Sequence, residues 1–139
     1  MLQQVECTKY LGVFIDSNLS WQQNTLIIVT KNTSICIFYK IRHKLIYKMA
    51  KMIYFAFMHS YLIYGIEVYG NTHMKNLHRL IILNNKILHI VQNKSSDTHV
   101  PQLYTKYNTL LLPNLHNSRF LKMCINLFTI SKNYLPSLL

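Results

Sequence analysis

Lys40, Lys44, Lys48 and Lys51 follow one another at intervals of four, four and three residues. On an unbroken helix that spacing gathers four ammonium groups on one face. Such a face suits the phosphates of a nucleic acid, where each neutralised phosphate releases counterions. Phe38, Ile41, Leu45, Met49 and Met52 would then fall roughly opposite, toward a core. Tyr39, Tyr47, Tyr54, Tyr61 and Tyr64 carry rings on which bases could stack. In a stretch this apolar, packing is the expectation for most of them. The acids offer less. Glu6, Asp16, Glu67 and Asp97 are far apart, with no Asp-Asp pair, whereas two-metal phosphoryl transfer needs clustered carboxylates. His73 and His78 are five apart and do not share a helix face, which argues against a metal site there.

The charge balance points the same way. Fifteen basic residues against four acidic ones give a net charge of +11, so the natural complement is an anionic polymer or a membrane surface. Seven histidines add positive charge below a pH of about 6.5. Cys7, Cys36 and Cys124 form an odd set without C-x-x-C spacing, which fits neither a zinc knuckle nor a disulfide framework. Reduced core cysteines in an intracellular protein are the simplest account, and the polar start of the chain does not read as a signal peptide. The many Tyr, Lys, Asn and Ile codons suggest AT-rich coding rather than a physical demand.

These side chains need elements to hold them. The 139 residues suffice for one domain with its own core. Leu2 to Cys7 and Tyr10 to Ile15 read as two short strands joined at Thr8-Lys9, with Gly12 marking a bulge or a close approach. Asp16-Ser17-Asn18 is a turn cluster, and Ser20 can cap a helix beginning at Trp21. From Trp21 to Tyr64 neither Gly nor Pro occurs; that length predicts two helices, breaking near Leu45-Ile46-Tyr47. A further helix runs from about His73 to Val91 on a stripe of Leu77, Leu80, Ile81, Asn84, Leu88 and Val91, with Lys75, Arg79 and Lys86 on another side. Asn93 to Thr98 is a polar loop, and Val100-Pro101 opens a short helix through Tyr107. Pro113 and Asn114 precede a last amphipathic helix, ended by Pro136, whose Leu121, Cys124, Ile125 and Phe128 can face a core. Met52 to Ile66 is the most apolar run. It is shorter than the ~20 residues of a membrane span and holds His59 and Ser60, so a buried helix suits it better.

Four segments carry a recognisable pattern. Lys9-Tyr10-Leu11-Gly12-Val13-Phe14-Ile15-Asp16 with Leu19-Ser20-Trp21 resembles the "KYLGV-x-ID-xx-LSW" signature of the reverse transcriptases of non-LTR (LINE-like, jockey-type) retrotransposons. Tyr64-Gly65-Ile66-Glu67-Val68-Tyr69-Gly70 resembles that family's "YG-x-x-VWG" segment, and Asn84-Asn85-Lys86-Ile87-Leu88-His89-Ile90 its "QNK-x-LR-x-I" helix. Leu103-Tyr104 and Leu110-Leu111-Leu112-Pro113 resemble its "LY … LP" tail. Each piece is short, but the four stand in the family's order across most of the chain.

The resemblance implies a mainly α fold, with an end-of-palm, primer-grip β-hairpin over residues 1–19 and a thumb-like helical bundle over residues 20–139. It assigns Tyr10, Leu11 and Gly12 to positioning a primer end, and an RNA–DNA hybrid as the partner of Lys40, Lys44, Lys48, Lys51, Arg79 and Lys86. The parent activity it implies is RNA-directed DNA polymerisation. That chemistry, with its Mg²⁺, would belong to a catalytic palm upstream of the "KYLGV" strand and not to this chain, which reads as a fragment or decaying copy, not an enzyme by itself and with no small-molecule substrate. Several positions depart from the pattern: Ile46 stands where a proline is usual, Asn24-Thr25 replaces "H-I", Tyr69 replaces Trp and His89 replaces Arg. Two other readings stay open, a stand-alone basic helical nucleic-acid-binding module and, less favoured, a small membrane-associated helical protein.

Overall fold

The computed structural model describes residues 6–31 and 34–134. A two-stranded antiparallel hairpin, β1 (Cys7–Tyr10) and β2 (Val13–Asp16), leads into helices throughout the rest of the described chain. These are α1 (Gln22–Lys31), α2 (Ser34–Ile41), α3 (Tyr47–Ile53), a π-helical segment (Tyr54–His59), α4 (Ser60–Ile63), α5 (Ile66–Tyr69), α6 (Met74–Val91), α7 (Val100–Tyr107) and α8 (Leu112–Tyr134). The fold is therefore mainly helical behind an N-terminal hairpin, as the sequence predicts. The expected strand before Cys7 and the stop at Pro136 lie outside the described residues.

The hairpin differs in register from the sequence reading. Thr8 and Lys9 are inside β1, paired with Ile15 and Phe14, and the turn falls at Leu11-Gly12. Both turn residues have positive φ, 45° and 82°, which is the two-residue type I′ geometry whose twist matches antiparallel strands. Gly12 is thus a turn residue rather than a bulge. Helix α1 also begins later than expected. Trp21 is outside it, in the left-handed region at φ 59°; the Ser20 hydroxyl does accept from the Gln22 amide at 3.4 Å, but the main organiser of the entry is Asp16. The Asp16 carboxylate accepts from the Ser20 hydroxyl at 2.5 Å, the Ser20 amide at 3.0 Å and the Trp21 amide at 2.9 Å. Those bonds hold its pKa below the ordinary carboxylate value, the Ser20 hydroxyl contributing most.

The chain does break near Leu45-Ile46-Tyr47, with a turn at Arg42–Lys44 before α3. Beyond it, Ala50, Tyr54, Met58, Leu62 and Ile66 are all buried, a run of constant four-residue spacing. A plain α-helix would carry such a row gradually around its axis, because its turn takes 3.6 residues. The π segment, with its wider i→i+5 turn, absorbs that drift and keeps Ala50, Tyr54, Met58 and Leu62 on the core, while Ile66 lies beyond the helix break at Tyr64-Gly65. Met49 and Met52 are exposed to solvent, against expectation, as are Tyr39, Tyr47, Tyr61 and Tyr64, while Tyr54 alone of the five candidate tyrosines is buried. Phe38 is buried, and Ile41 and Leu45 are half-buried, as the opposite-face reading required.

Helix α6 is the central strut. Leu77, Leu80, Asn84, Leu88 and Val91 are buried and Ile81 half-buried, as its periodicity predicts; Leu83, Ile87 and Ile90 widen the stripe. Against it pack α1, α2, the π segment and α7. Inside this bundle the Tyr54 hydroxyl donates to Asn84 Oδ1 at 2.9 Å, the Asn84 amide donates to the Tyr104 hydroxyl at 2.9 Å, and that hydroxyl donates to Asn85 Oδ1 at 2.7 Å. Gln92 Nε2 donates to the Leu103 carbonyl at 2.8 Å and fixes the C-terminal end of α6 against α7. Burial pushes the Tyr104 hydroxyl up to about 12 and that of Tyr54 still higher.

Helix α8 overturns one expectation. Its first turns bury Leu112 and Leu115, but Leu121, Cys124, Ile125 and Phe128 are exposed instead of facing a core, because the helix outruns the bundle it starts on. The cysteines likewise do not sit in the core: Cys36 and Cys124 are exposed, Cys7 is half-buried, and all three are free thiols.

Candidate nucleic-acid interface

The hairpin turn is held from below by the segment around Tyr64. The Tyr64 hydroxyl donates to the Leu11 carbonyl. A methyl group on Gly12 would lie 3.3 Å from both Cε1 and Oη of the same tyrosine, and one on Gly65 would lie 3.1 Å from Val13 Cγ2. Two distant stretches of sequence therefore meet at contact distance through their glycines. The rest of the hairpin is tied down by amide side chains. Asn24, buried at the start of α1, accepts from the Phe14 amide at 3.2 Å. The Ser20 carbonyl receives the Thr72 hydroxyl at 2.6 Å and the Asn76 amide at 2.9 Å, which links the base of the hairpin to the start of α6. Between turn and bundle lies a cleft of about 350 Å³ lined by Gly12, Asn24, Ile27, Ile28, Ser60, Tyr61 and Tyr64. Tyr10 and Leu11 stand exposed at the tip, free to meet a ligand.

The four lysines do not share a face. Lys40 is near the end of α2, Lys44 lies in the following turn, and only Lys48 and Lys51 ride together on α3. The fold instead builds a basic and aromatic surface around Tyr47. The Tyr47 hydroxyl donates to the Lys106 carbonyl at 2.9 Å, and Lys106 Nζ sits 5.0 Å from the centre of the Tyr47 ring. Tyr47 meets Tyr107 edge to face at 5.7 Å, and Lys51 Nζ lies 5.9 Å from both the Tyr107 and Phe55 rings. Burial, aided by Tyr47, pushes the Tyr107 hydroxyl up to about 12, so the ring stays neutral.

Two grooves share Tyr47. One, open and about 640 Å³, is lined by Tyr47, Lys48, Lys51, Met52 and Phe55. The other, about 340 Å³, includes Arg42, His43 and Lys106 in its wall. The Arg42 guanidinium also lies 3.9 Å over the Tyr39 ring. Cations interleaved with exposed rings are the means by which single or hybrid strands are gripped without reading sequence.

Arg79 is elsewhere, lining a polar cleft of about 220 Å³ with Lys75, Asn76, Gln22, Thr25 and Leu26 between α1 and α6. Lys86 is exposed further along α6, and His89, where the resembling pattern has arginine, is half-buried with its Nδ1 lacking a hydrogen-bond partner. Sequence reasoning missed Arg42 and Lys106. The three-residue step from Tyr39 to Arg42 was a legible local signal, whereas Lys106 joins the surface only through the docking of α7. Among the described residues no three His, Cys, Asp or Glu side chains come together, so the donor set does not fit a two-metal centre. Nor is any described helix long and apolar enough to cross a membrane. No family model, curated protein or solved structure matches this chain.

Proposed function

We propose that this chain is a nucleic-acid-binding fragment of a non-LTR retrotransposon reverse transcriptase, contributing primer positioning through its hairpin and duplex grip through its helices. The observation that carries the reading is how the four resembling segments pair in space. The "KYLGV" turn rests on Tyr64 and Gly65 of the "YG" segment. Asn84 and Asn85 of the "NNK" helix are hydrogen-bonded to Tyr104 of the "LY" segment. That pairing supports the reading. Phosphoryl transfer and its Mg²⁺ are assigned to a palm that these residues do not supply.

In this reading the exposed hairpin tip abuts a primer end, and the surface around Tyr47 holds backbone phosphates through Arg42, Lys48, Lys51 and Lys106. The test is binding of a labelled RNA–DNA hybrid by fluorescence anisotropy across a salt series. Replacing those four residues with Gln should weaken binding to every sequence and flatten the slope of log K against log[salt] by roughly 3–4 units, at about 0.9 per phosphate contact. Lys40→Gln with Lys44→Gln should flatten it less. A parent chain that does not bind hybrids, or a quadruple variant with an unchanged slope, refutes the assignment. Equal affinity for hybrid and for duplex DNA of any sequence would favour the stand-alone binding module, which the Tyr47 surface could serve without the hairpin.

A further inference from the structure

The cleft beneath the hairpin turn contains a buried donor with nothing to bond. Asn24 is only 4% exposed, and its Oδ1 is taken by the Phe14 amide. Its Nδ2 has no hydrogen-bond partner among the described residues, yet it is not one of the sealed unpartnered atoms such as Tyr107 Oη and Thr109 Oγ1. Since Asn24 lines the cleft, that donor is open to what enters it. A buried amide N–H without an acceptor is destabilising, and a ligand carbonyl would satisfy it. Around it, Tyr61 and Tyr64 line the cleft while remaining exposed, and Ile27 is half-buried. The Ser60 hydroxyl donates to the Ala56 carbonyl at 2.6 Å, which leaves its oxygen able to accept. No charged side chain lines this cleft, so the group it suits is neutral, unlike the phosphates proposed for the Tyr47 surface.

We infer that this cleft holds a single unpaired nucleobase, at the end of a strand whose backbone meets the hairpin tip. The inference rests on the proposed nucleic-acid role only for the source of the base; its chemistry comes from the cleft. A base such as uracil is planar and neutral and is edged with both carbonyl and N–H groups. It can lie against tyrosine rings, accept from Asn24 Nδ2 and donate to Ser60 Oγ. An aliphatic ligand would leave both polar groups unanswered, and a phosphate would find no cation. About 350 Å³ is at the lower end of the roughly 300–1,000 Å³ of small-ligand clefts, room for one nucleoside and not for a duplex. The hairpin supplies the placement. The Tyr64 hydroxyl holds the Leu11 carbonyl, so a ring that lines the cleft also fixes the exposed tip. Because Gly12 of the same turn lines the cleft, a strand end resting on Tyr10 and Leu11 has its last base within reach of it.

The test is a titration of the full chain with uridine, followed by amide NMR. Saturable shifts confined to the surroundings of the cleft, Gly12, Asn24 and Ser60 among them, are expected, and ribose alone should give none. Tyr61→Leu removes an exposed ring and should weaken uridine about 5-fold or more, as the loss of a stacking partner does. Asn24→Asp keeps an acceptor for the Phe14 amide but replaces the free donor with an oxygen, and should also weaken uridine; if that variant unfolds, Tyr61→Leu decides. A second arm compares hybrids whose primer strand ends in one unpaired uridine or in an abasic residue at that position. The parent should prefer the base about 5-fold or more. Tyr61→Leu should lose that preference, whereas Lys106→Gln should lower both affinities and keep their ratio. The absence of saturable uridine shifts, shifts indifferent to Tyr61→Leu, or equal affinity for the two strand ends overturns the inference. If the chain binds no hybrid at all, the proposed function fails and the uridine titration alone decides the cleft.

Discussion

Gly12→Val is the substitution on which the hairpin geometry can be tried most directly. At φ 82° Gly12 occupies the left-handed region, which costs an L-residue about 1–2 kcal/mol, with a β-branched one at the upper end. The new Cβ would lie 3.3 Å from Tyr64 Cε1 and Oη, and the two γ-methyls must reach further, so the ring has to swing aside. Tyr64 then loses its hydrogen bond to the Leu11 carbonyl, worth about 1 kcal/mol. Together these make roughly 2–3 kcal/mol against the docked hairpin. With a urea m-value of about 1–3 kcal/mol/M, the midpoint should fall by roughly 1 M or more if the hairpin unfolds with the bundle. If it detaches first, exchange of the strand amides should accelerate by about 30- to 150-fold. Gly12→Asn separates the two causes, since Asn tolerates the left-handed region but still meets Tyr64. It should lose less than Val. A Val variant within about 0.5 kcal/mol of the parent by both measures refutes the argument, because ordinary surface substitutions do no more than that.

Tyr54→Phe should destabilise the bundle by about 1–3 kcal/mol in urea denaturation, since it strips the donor from the buried Asn84 carbonyl oxygen; an unchanged midpoint would mean that the Tyr54–Asn84–Tyr104 chain of bonds carries no stability. His59 gives a pH signature. Burial, and then the charge of Arg119, lowers its pKa in the fold, so its contribution is present above the unfolded value of about 6.5 and is lost as pH falls through the folded pKa. Urea midpoints at pH 8 and pH 5 should therefore differ more for the parent than for His59→Gln; equal differences would contradict that direction.

What the sequence made legible follows from how far each signal reaches. The stripe of α6 needs only its own periodicity, and Leu77, Leu80, Asn84 and Leu88 are all buried as read. The hairpin was visible but misregistered. A lone Gly between Leu11 and Val13 looks like an interruption inside one strand, and only the positive φ of Leu11 as well makes it a turn. The lysine face failed for a different reason. No Gly or Pro marks the break after Ile41, which alone splits the row; the π segment begins only after Lys51 and has no residue signature of its own. Its one trace in sequence is the unvarying four-residue step from Ala50 to Leu62. In α8 the amphipathic pattern was correctly seen and wrongly assigned to the chain's own core, because periodicity names a buried face without naming what buries it.

Burial divides the resembling residues into two kinds, and the proposed nucleic-acid role falls to only one of them. Asn84, Tyr104 and Leu112 are buried, and Gly12 and Gly65 allow backbone to meet side chain; packing accounts for each without any ligand. A protein that had lost its partner but kept its fold would still need them. Tyr10 and Leu11 differ. They are 64% and 74% exposed, and the proposed function makes them the residues that meet a primer end. The lysines divide likewise. Lys40 and Lys44 lie off the helix that carries Lys48 and Lys51, whereas Lys51 Nζ lies 5.9 Å from the Tyr107 ring and Lys106 Nζ 5.0 Å from the Tyr47 ring. Ordering a long side chain in advance removes part of the entropy it would otherwise lose on binding. The weight of a phosphate-binding reading therefore falls on Lys51 and Lys106 rather than on the evenly spaced row.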